Sequence, residues 1–219
     1  MTLEEFSLEF DVLFNNIASD QAPGLSELEK SIFLTQAQEV LIKQYYKGDL
    51  EQSFENTEEV TQYLNTLVSQ ARYSANDMIP GKGILLTSNL KSSFFKLPEE
   101  AMFITYEAAD LNCSGSNNAL VVPTTQDEFY NVHKNPFRGP SKNRVIRLVR
   151  DGVAELYSTH PITSYLVRYV KYPDPIVLPG ANEIAPYSNY PEGLNTKLPE
   201  SLHRNILMQA VALAKATWA

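Results

Sequence analysis

The chain has 219 residues, of which 43% are hydrophobic and 20% are charged, a composition typical of globular proteins rather than disordered ones. Its formal net charge of −8 argues against a protein that coats nucleic acid with its whole surface. The single cysteine, Cys113, excludes an internal disulfide, so we expect a reducing environment. Residues 1–20 lack the pattern of a signal peptide, and no apolar run is long enough for a membrane span, so we expect no membrane association.

Capping boxes mark the first two helices. Thr2 with Glu5 opens a helix that we expect to run to about residue 18, because apolar residues recur at helical spacing behind it. Ser26 with Glu29 opens a second and longer helix, which we expect to end at a glycine at position 48. Both helices are predicted to bury one apolar face.

A third helix is predicted from Asn56 onward, since apolar residues continue at steps of three and four. The residues on its apolar side are Val60, Leu64, Leu67, Val68 and Ala71. We therefore assign residues 1–75 to a helical region that forms an N-terminal bundle.

Residues 76–171 are predicted to be rich in β-structure, because β-branched and aromatic residues replace the helix formers and the period drops toward two. The strands are expected at residues 84–90, 93–96, 101–108, 119–122, 144–150, 153–158 and 162–172, with a helical turn at 127–133. Asp151 and Gly152 predict a tight turn that makes residues 144–158 a hairpin.

Six of the 13 prolines fall between residues 172 and 199. Proline lacks the N–H that helices and sheets use, so residues 172–198 are predicted to be an extended arm that covers its own sheet or reaches a neighbouring subunit. Pro199 suits the first turn of a closing helix at residues 199–219, which would complete the N-terminal bundle. The predicted fold class is α+β.

Charge is unevenly distributed along the chain. Residues 1–60 contain 13 acidic and 3 basic residues, whereas residues 134–171 contain 8 basic and 2 acidic residues.

The candidate subunit-interface residues are five basic residues of the strands and three prolines of the arm. They are Arg144, Arg147, Arg150, Arg168 and Lys171, with Pro173, Pro175 and Pro179. The arginines could form a solvated sheet face, pair with an acidic surface of another subunit, or contact nucleic acid backbone. Head-to-tail contacts between oppositely charged surfaces close into rings when the rotation permits, and in that case we expect that reversing the first three arginines leaves the monomer folded but impairs ring formation.

No assembled catalytic, cofactor-binding or metal-binding pattern is found in the sequence, so we predict a protein that is not an enzyme. Residues 110–115 match the first half of a calcium-binding loop, but Val121 stands where the bidentate glutamate is needed. Hydrolysis would require Cys113 or a serine to meet His133 or His160, and no surrounding motif supports this.

Three stretches of the sequence resemble the head-tail connector or ring proteins of crAss-like bacteriophages and related short-tailed phages of gut bacteria. They are FDVLFNNIASDQAPGLSELEKSIFLTQAQEVLIKQYYKG at residues 10–48, YLVRYVKYPDPIVLP at 165–179 and LPESLHRNILMQAVALA at 198–214. Together they cover about a third of the chain, and residues 75–143 carry no resemblance.

The resemblance implies a virion component without catalytic residues or cofactors. It implies a ring of about twelve copies at the head–tail junction, which contacts the portal and other tail ring proteins and is assembled in the host cytoplasm. Packaged DNA would pass through the channel without sequence-specific binding. Two alternatives remain open, namely another virion part such as a tail hub or capsid-associated protein, and a nucleic-acid-binding module.

Overall fold

The computed structural model describes residues 1–15, 24–47, 62–83, 90–113, 118–183 and 185–218. The helices are α1 (Leu3–Asn15), α2 (Glu27–Lys47), α3 (Gln126–Lys134) and α4 (Glu200–Trp218), and residues 62–65 are also helical. The strands are β1 (Val68–Ser74), β2 (Lys91–Lys96), β3 (Ala101–Leu111), β4 (Ala119–Pro123), β5 (Arg144–Arg150), β6 (Val153–Ser158) and β7 (Ile162–Lys171). The predicted α+β class is confirmed. Over these ranges, no helix is both long enough and apolar enough to cross a membrane.

The chain divides into two compact units, and the first contains residues 1–67 and 172–219. Its helix α4 packs against both α1 and α2. Helix α1 contributes Phe6, Phe10 and Phe14 to the buried face, in steps of four residues that follow the helical period. The predicted helical spacing in this region therefore reflects burial within this unit.

Both predicted capping boxes are present. The backbone N–H of Thr2 donates to the Glu5 carboxylate, and the N–H of Glu5 donates to the Thr2 hydroxyl. Ser26 and Glu29 make the same reciprocal pair at the start of α2. Each box satisfies two N–H groups that lack partners inside the helix. The local sequence therefore determines where these two helices begin.

The second unit, residues 68–171, is a seven-stranded sheet with the order β1-β7-β3-β4-β5-β6-β2. All neighbouring strands are antiparallel except β4 and β5, which are parallel and are connected through α3. A parallel pair cannot be joined by a tight hairpin, so the chain leaves the sheet between them. One face of the sheet carries the main core, and α3 packs on the other face over β5 and β6.

The predicted hairpin at residues 144–158 is confirmed. Strands β5 and β6 pair antiparallel across Asp151 and Gly152. Both residues have positive φ, 51° and 72° respectively, which aspartate tolerates and glycine adopts without steric cost. The tight turn fixes the register that places Arg147 opposite Leu156 and Arg150 opposite Val153.

The predicted third helix is wrong beyond residue 67, because residues 68–74 form strand β1. Its burial alternates with a period of two, and Tyr73 packs against Phe95 and Tyr165. Val68 and Ala71 are three residues apart, and this spacing mimicked a helical stripe in the sequence. Pairing with β7 and aromatic packing outweigh the local preference for helix. The start of that helix and most of the strand expected at 84–90 lie outside the described residues.

Candidate subunit interface

Strand β5 carries three of the predicted interface arginines, and its alternation separates them. Val145 belongs to the main core, whereas Ile146 packs with α3 on the opposite face of the sheet. Because successive strand residues point to opposite faces, Arg147 shares the face of Val145. By the same alternation, Arg144 and Arg150 share the face of Ile146.

Arg147 belongs to a buried polar group in the main core. Its side chain is 11% exposed, and its guanidinium Nη1 lies 2.8 Å from Oε2 of Glu107. The hydroxyl of Tyr165 donates a hydrogen bond to the same carboxylate. Burial raises the pKa of Glu107, although the charge of Arg147 acts in the opposite direction. Burial, followed by the charge of Glu107, raises the pKa of Tyr165.

Arg147 is therefore committed to its own unit, and we leave it out of the proposed interface. Reversal of Arg147 to glutamate would place two carboxylates together in the core, at a desolvation cost that only an opposite charge offsets. The buried pair with Glu107 argues against reversal at Arg147, whereas the expectation stays a prediction for Arg144 and Arg150.

Arg150 forms a related group on the other face of the sheet. Its Nη2 lies 3.0 Å from Oε1 of Glu155, and the hydroxyl of Tyr157 donates to the other oxygen of this carboxylate at 3.1 Å. Glu155 is buried, but more than half of the Arg150 side chain remains exposed. Arg144 is half-buried and donates a hydrogen bond to the carbonyl oxygen of Phe137.

Strand β7 carries the other two basic candidates. Lys171 lies 3.1 Å from the Glu100 carboxylate, which also accepts a hydrogen bond from the Tyr169 hydroxyl at 2.6 Å. Arg168 is exposed next to Tyr106 of β3 and has no ion pair among the residues that the structure describes. Of the five basic candidates, Arg150 and Arg168 have the most exposed side chains and so the most surface for contact with another molecule.

The proline-rich segment is hydrogen-bonded to helix α2 through three polar side chains on one face of that helix. The hydroxyl of Thr35 accepts from the N–H of Ile176 at 3.1 Å, and that of Ser31 accepts from the N–H of Leu178 at 3.0 Å. Gln38 donates to a backbone carbonyl of the segment at 2.9 Å. Positions 31, 35 and 38 recur at the helical period, so they align with an extended chain beside the helix.

This attachment determines where the candidate prolines lie. Pro175 is buried next to Ile176, Pro173 is half-buried and Pro179 is exposed. The side chains of residues 176–178 are fully buried, which anchors this part of the segment in the first unit. Among the three prolines, Pro179 has the most surface available for a neighbouring molecule.

The groups considered for hydrolysis are engaged elsewhere. Nδ1 of His133 lies 3.1 Å from the Phe129 carbonyl oxygen of its own helix, and Nδ1 of His160 lies 3.0 Å from the Thr159 hydroxyl. Within the described ranges, no hydrogen bond joins Cys113 to either histidine. Among the described residues, Cys113 is therefore not paired with a histidine base.

Asp110, the first residue of the calcium-like stretch, serves as a structural acceptor. Its carboxylate accepts hydrogen bonds from the Ser164 hydroxyl at 2.6 Å and from the N–H of Asn118 at 2.9 Å, and Arg72 lies 3.5 Å away. The bond from Ser164, followed by that from Asn118, lowers the pKa of Asp110. In the part of the chain that is described, no cluster of three or more histidine, cysteine or acidic residues could hold a metal ion.

Comparison with known proteins connects this fold to a family of phage proteins. The family model described as phage tail ring protein 3/4 matches residues 1–219. Ring protein 3 of Bacteroides phage crAss001 is 40% identical over 98% of this chain and 95% of its own length. Ring protein 4/5 of the same phage is 29% identical over 100% of this chain and 94% of its own length. The resemblance seen in three stretches thus extends over the whole sequence, and the chain belongs to the phage tail ring protein 3/4 family.

Proposed function

We propose that copies of this chain assemble into a structural ring in the virion that joins the portal of the capsid to the tail of a short-tailed phage. The match of the family model to residues 1–219, across both compact units, is the observation that carries this proposal. A ring requires two different surfaces on each copy, because each subunit contacts its two neighbours through unlike patches. The separation of an acidic N-terminal region from a basic β-region supplies such a pair of surfaces.

The proposed ring contains about twelve copies, and packaged DNA passes through its central channel. The net charge of −8 per chain supports passage rather than retention, since a negative surface repels the phosphate backbone. In this assembly, the portal contacts one side of the ring and the next tail ring contacts the other. Exposed Arg150, Arg168 and Pro179 are candidates for the contacts between neighbouring copies.

The mass of the purified protein under native conditions tests the proposal, measured alone and after mixing with the portal protein of the same phage. We expect a closed oligomer of uniform size, or its formation on addition of the portal protein. A chain that remains monomeric in both samples at all accessible concentrations would refute the ring. A uniform ring that does not associate with the portal protein would refute the connector role while leaving the ring.

A further inference from the structure

An exposed apolar surface lies beside the crossover between β4 and β5. We define this crossover patch by Phe137 and Leu120, which are 86% and 51% exposed and line the same groove. Helix α3 buries Phe129 and Val132 against the sheet, whereas Phe137 lies beyond the end of this helix and remains exposed. Clustered apolar groups at a polar surface mark sites of protein contact.

The backbone that presents Phe137 is held in place. The side-chain oxygen of Asn135 accepts from the N–H of Phe137 at 2.8 Å, and Arg144 donates to the Phe137 carbonyl. The backbone at Gly139 lies so close to Asn135 that an added Cβ would be 2.7 Å from the Asn135 carbonyl oxygen. Any residue other than glycine at this position would therefore force the backbone to move. An exposed aromatic ring on a fixed backbone loses little entropy on binding, so it is suited to be an anchor.

A groove next to Phe137 has an apolar floor and a basic rim. Its cavity of about 240 Å³ is lined by residues that include Leu120, Val122, Val132, Phe137, Arg138 and Arg144. Its charged lining residues are Arg138, Arg144 and Glu128, so the rim is net basic. The patch therefore suits an apolar surface that is surrounded by carboxylates.

The outer face of α1 has this complementary character. Leu8 and Val12 are 67% and 58% exposed, and they lie one helical turn apart, opposite the buried phenylalanines. Glu4 and Glu9 are exposed beside them, and α1 carries no basic residue in its last turn. This acidic apolar face matches the crossover patch in both charge and hydrophobicity.

We infer that the outer face of α1 of one copy packs into the crossover patch of the next copy, with Phe137 as the anchor and Arg138 opposite the glutamates. This inference rests on the proposed ring function and assigns the two unlike surfaces of its subunit contact. A second copy accounts for the patch better than DNA does, because Glu128 lines the same groove and a phosphate backbone does not fill an apolar floor.

Disulfide cross-linking between two single-cysteine proteins tests this contact. In a Cys113→Ser background, Leu8→Cys is mixed under mild oxidation with Glu128→Cys, which lies in the same groove and leaves the Phe137 anchor in place, and we expect a disulfide-linked heterodimer on a non-reducing gel. Met208→Cys, an exposed position on α4, replaces Leu8→Cys in the control mixture and should not cross-link with Glu128→Cys. Because each cysteine is in a different molecule, only contact between copies produces the dimer.

Charge exchange provides a second and independent measurement. Arg138→Glu is expected to weaken self-association about 30-fold, and adding Glu9→Lys should restore most of the loss. Phe137→Asp should weaken association at least as much, with an unchanged midpoint of thermal unfolding, because the ring makes little contact within its own chain.

The outcomes separate this inference from the proposed ring. Rings that form normally in the Phe137→Asp variant, together with a missing cross-link, would overturn this inference and leave the ring function intact. A wild-type chain that never assembles, alone or with the portal protein, would refute both. If Phe137→Asp and Arg138→Glu reduced binding to a DNA duplex but not assembly, the patch would be a nucleic-acid surface and the inference would be overturned.

Discussion

Position within a strand decides what each arginine of β5 does. Arg144, Arg147 and Arg150 are spaced by three residues, so consecutive members of the series lie on opposite faces of the sheet. Arg147 lies on the core face and pairs with Glu107, whereas Arg150 pairs with Glu155 on the other face. The neighbouring apolar residues show which face is which. Val145, two positions before Arg147, belongs to the main core, and Leu148, two positions before Arg150, is covered by α3.

Replacing Arg147 with methionine is expected to destabilise the protein by about 3 kcal/mol, since Glu107 would remain buried without its cation. Urea denaturation monitored by circular dichroism measures this change in the free energy of unfolding. The double variant Glu107→Gln with Arg147→Met should lose less stability than Arg147→Met alone, because no uncompensated charge remains.

Arg168→Met is the matched control for this substitution. Arg168 is exposed and has no ion pair in the described ranges, so we expect a change below about 0.5 kcal/mol. Equal losses for Arg147→Met and Arg168→Met would contradict the role assigned to the buried pair.

Asp110 should contribute to stability in a pH-dependent way. Its pKa is lowered in the folded protein by Ser164 and Asn118, so its contribution is present above the ordinary value of 3.8 and is lost as pH falls through the folded pKa. Asp110→Asn should therefore cost stability at pH 7 and cost progressively less as the pH falls below 3.8. Urea denaturation of both proteins at a series of pH values measures the difference, and a constant difference across the series would rule out this contribution.

At the scale of elements, the attachment of the proline-rich segment to α2 depends on polar groups inside an otherwise apolar interface. Thr35→Val keeps the shape of the side chain but removes the acceptor for the Ile176 N–H. We expect a loss of about 1 to 3 kcal/mol, the cost of leaving a buried donor unsatisfied. Thermal denaturation measures the loss, and hydrogen exchange should show faster exchange at the Ile176 amide.

Thr217→Val makes the same substitution on an exposed part of α4, where the hydroxyl donates to the Leu213 carbonyl of its own helix. This control should change stability by less than about 0.5 kcal/mol. If Thr35→Val were equally mild and left exchange at Ile176 unchanged, the hydroxyl would not be what holds the segment.

Local signals in the sequence predicted the elements that depend on local chemistry. The capping boxes at Thr2 and Ser26 and the turn at Asp151 each involve residues within four positions, and all three are present. Strand β1 was missed because it depends on pairing with β7, nearly 100 residues later in the chain. The contact of Ser31 with the proline-rich segment was missed for the same reason, since a serine within a helix gives no indication of a distant partner.

The candidate interface was predictable only in part. Charge along the chain identified the basic β-region, but it could not show that Arg147 is compensated internally. The crossover patch was missed because Phe137 lies between the predicted helical turn at 127–133 and the predicted strand at 144–150, where no periodic pattern was assigned. Exposure of a large apolar side chain is a three-dimensional property, so the sequence carries no direct signal of it.

At the scale of the whole molecule, the separation of charge predicts how assembly responds to salt. If copies associate through an acidic surface and a basic one, raising the ionic strength from about 0.05 M to about 0.5 M should weaken association, because screening shortens the range of the attraction. Sedimentation velocity at both concentrations measures the effect, and Arg138→Glu should show a smaller dependence than the wild type. Stronger association in high salt would indicate that apolar contact alone drives assembly.

The parallel pairing of β4 and β5 has a consequence for how such proteins diversify. The chain must make an excursion between these strands, and residues 126–138 contribute no pairing to the sheet. Substitutions at its exposed positions can accumulate without shifting the register of any strand, whereas Phe129 and Val132 are held by their packing on the sheet. Two ring proteins of one phage are similar to this chain, so proteins that share this fold within one phage need different surfaces to select different neighbours. An excursion whose exposed residues can change while the sheet stays constant offers such a surface without a new fold.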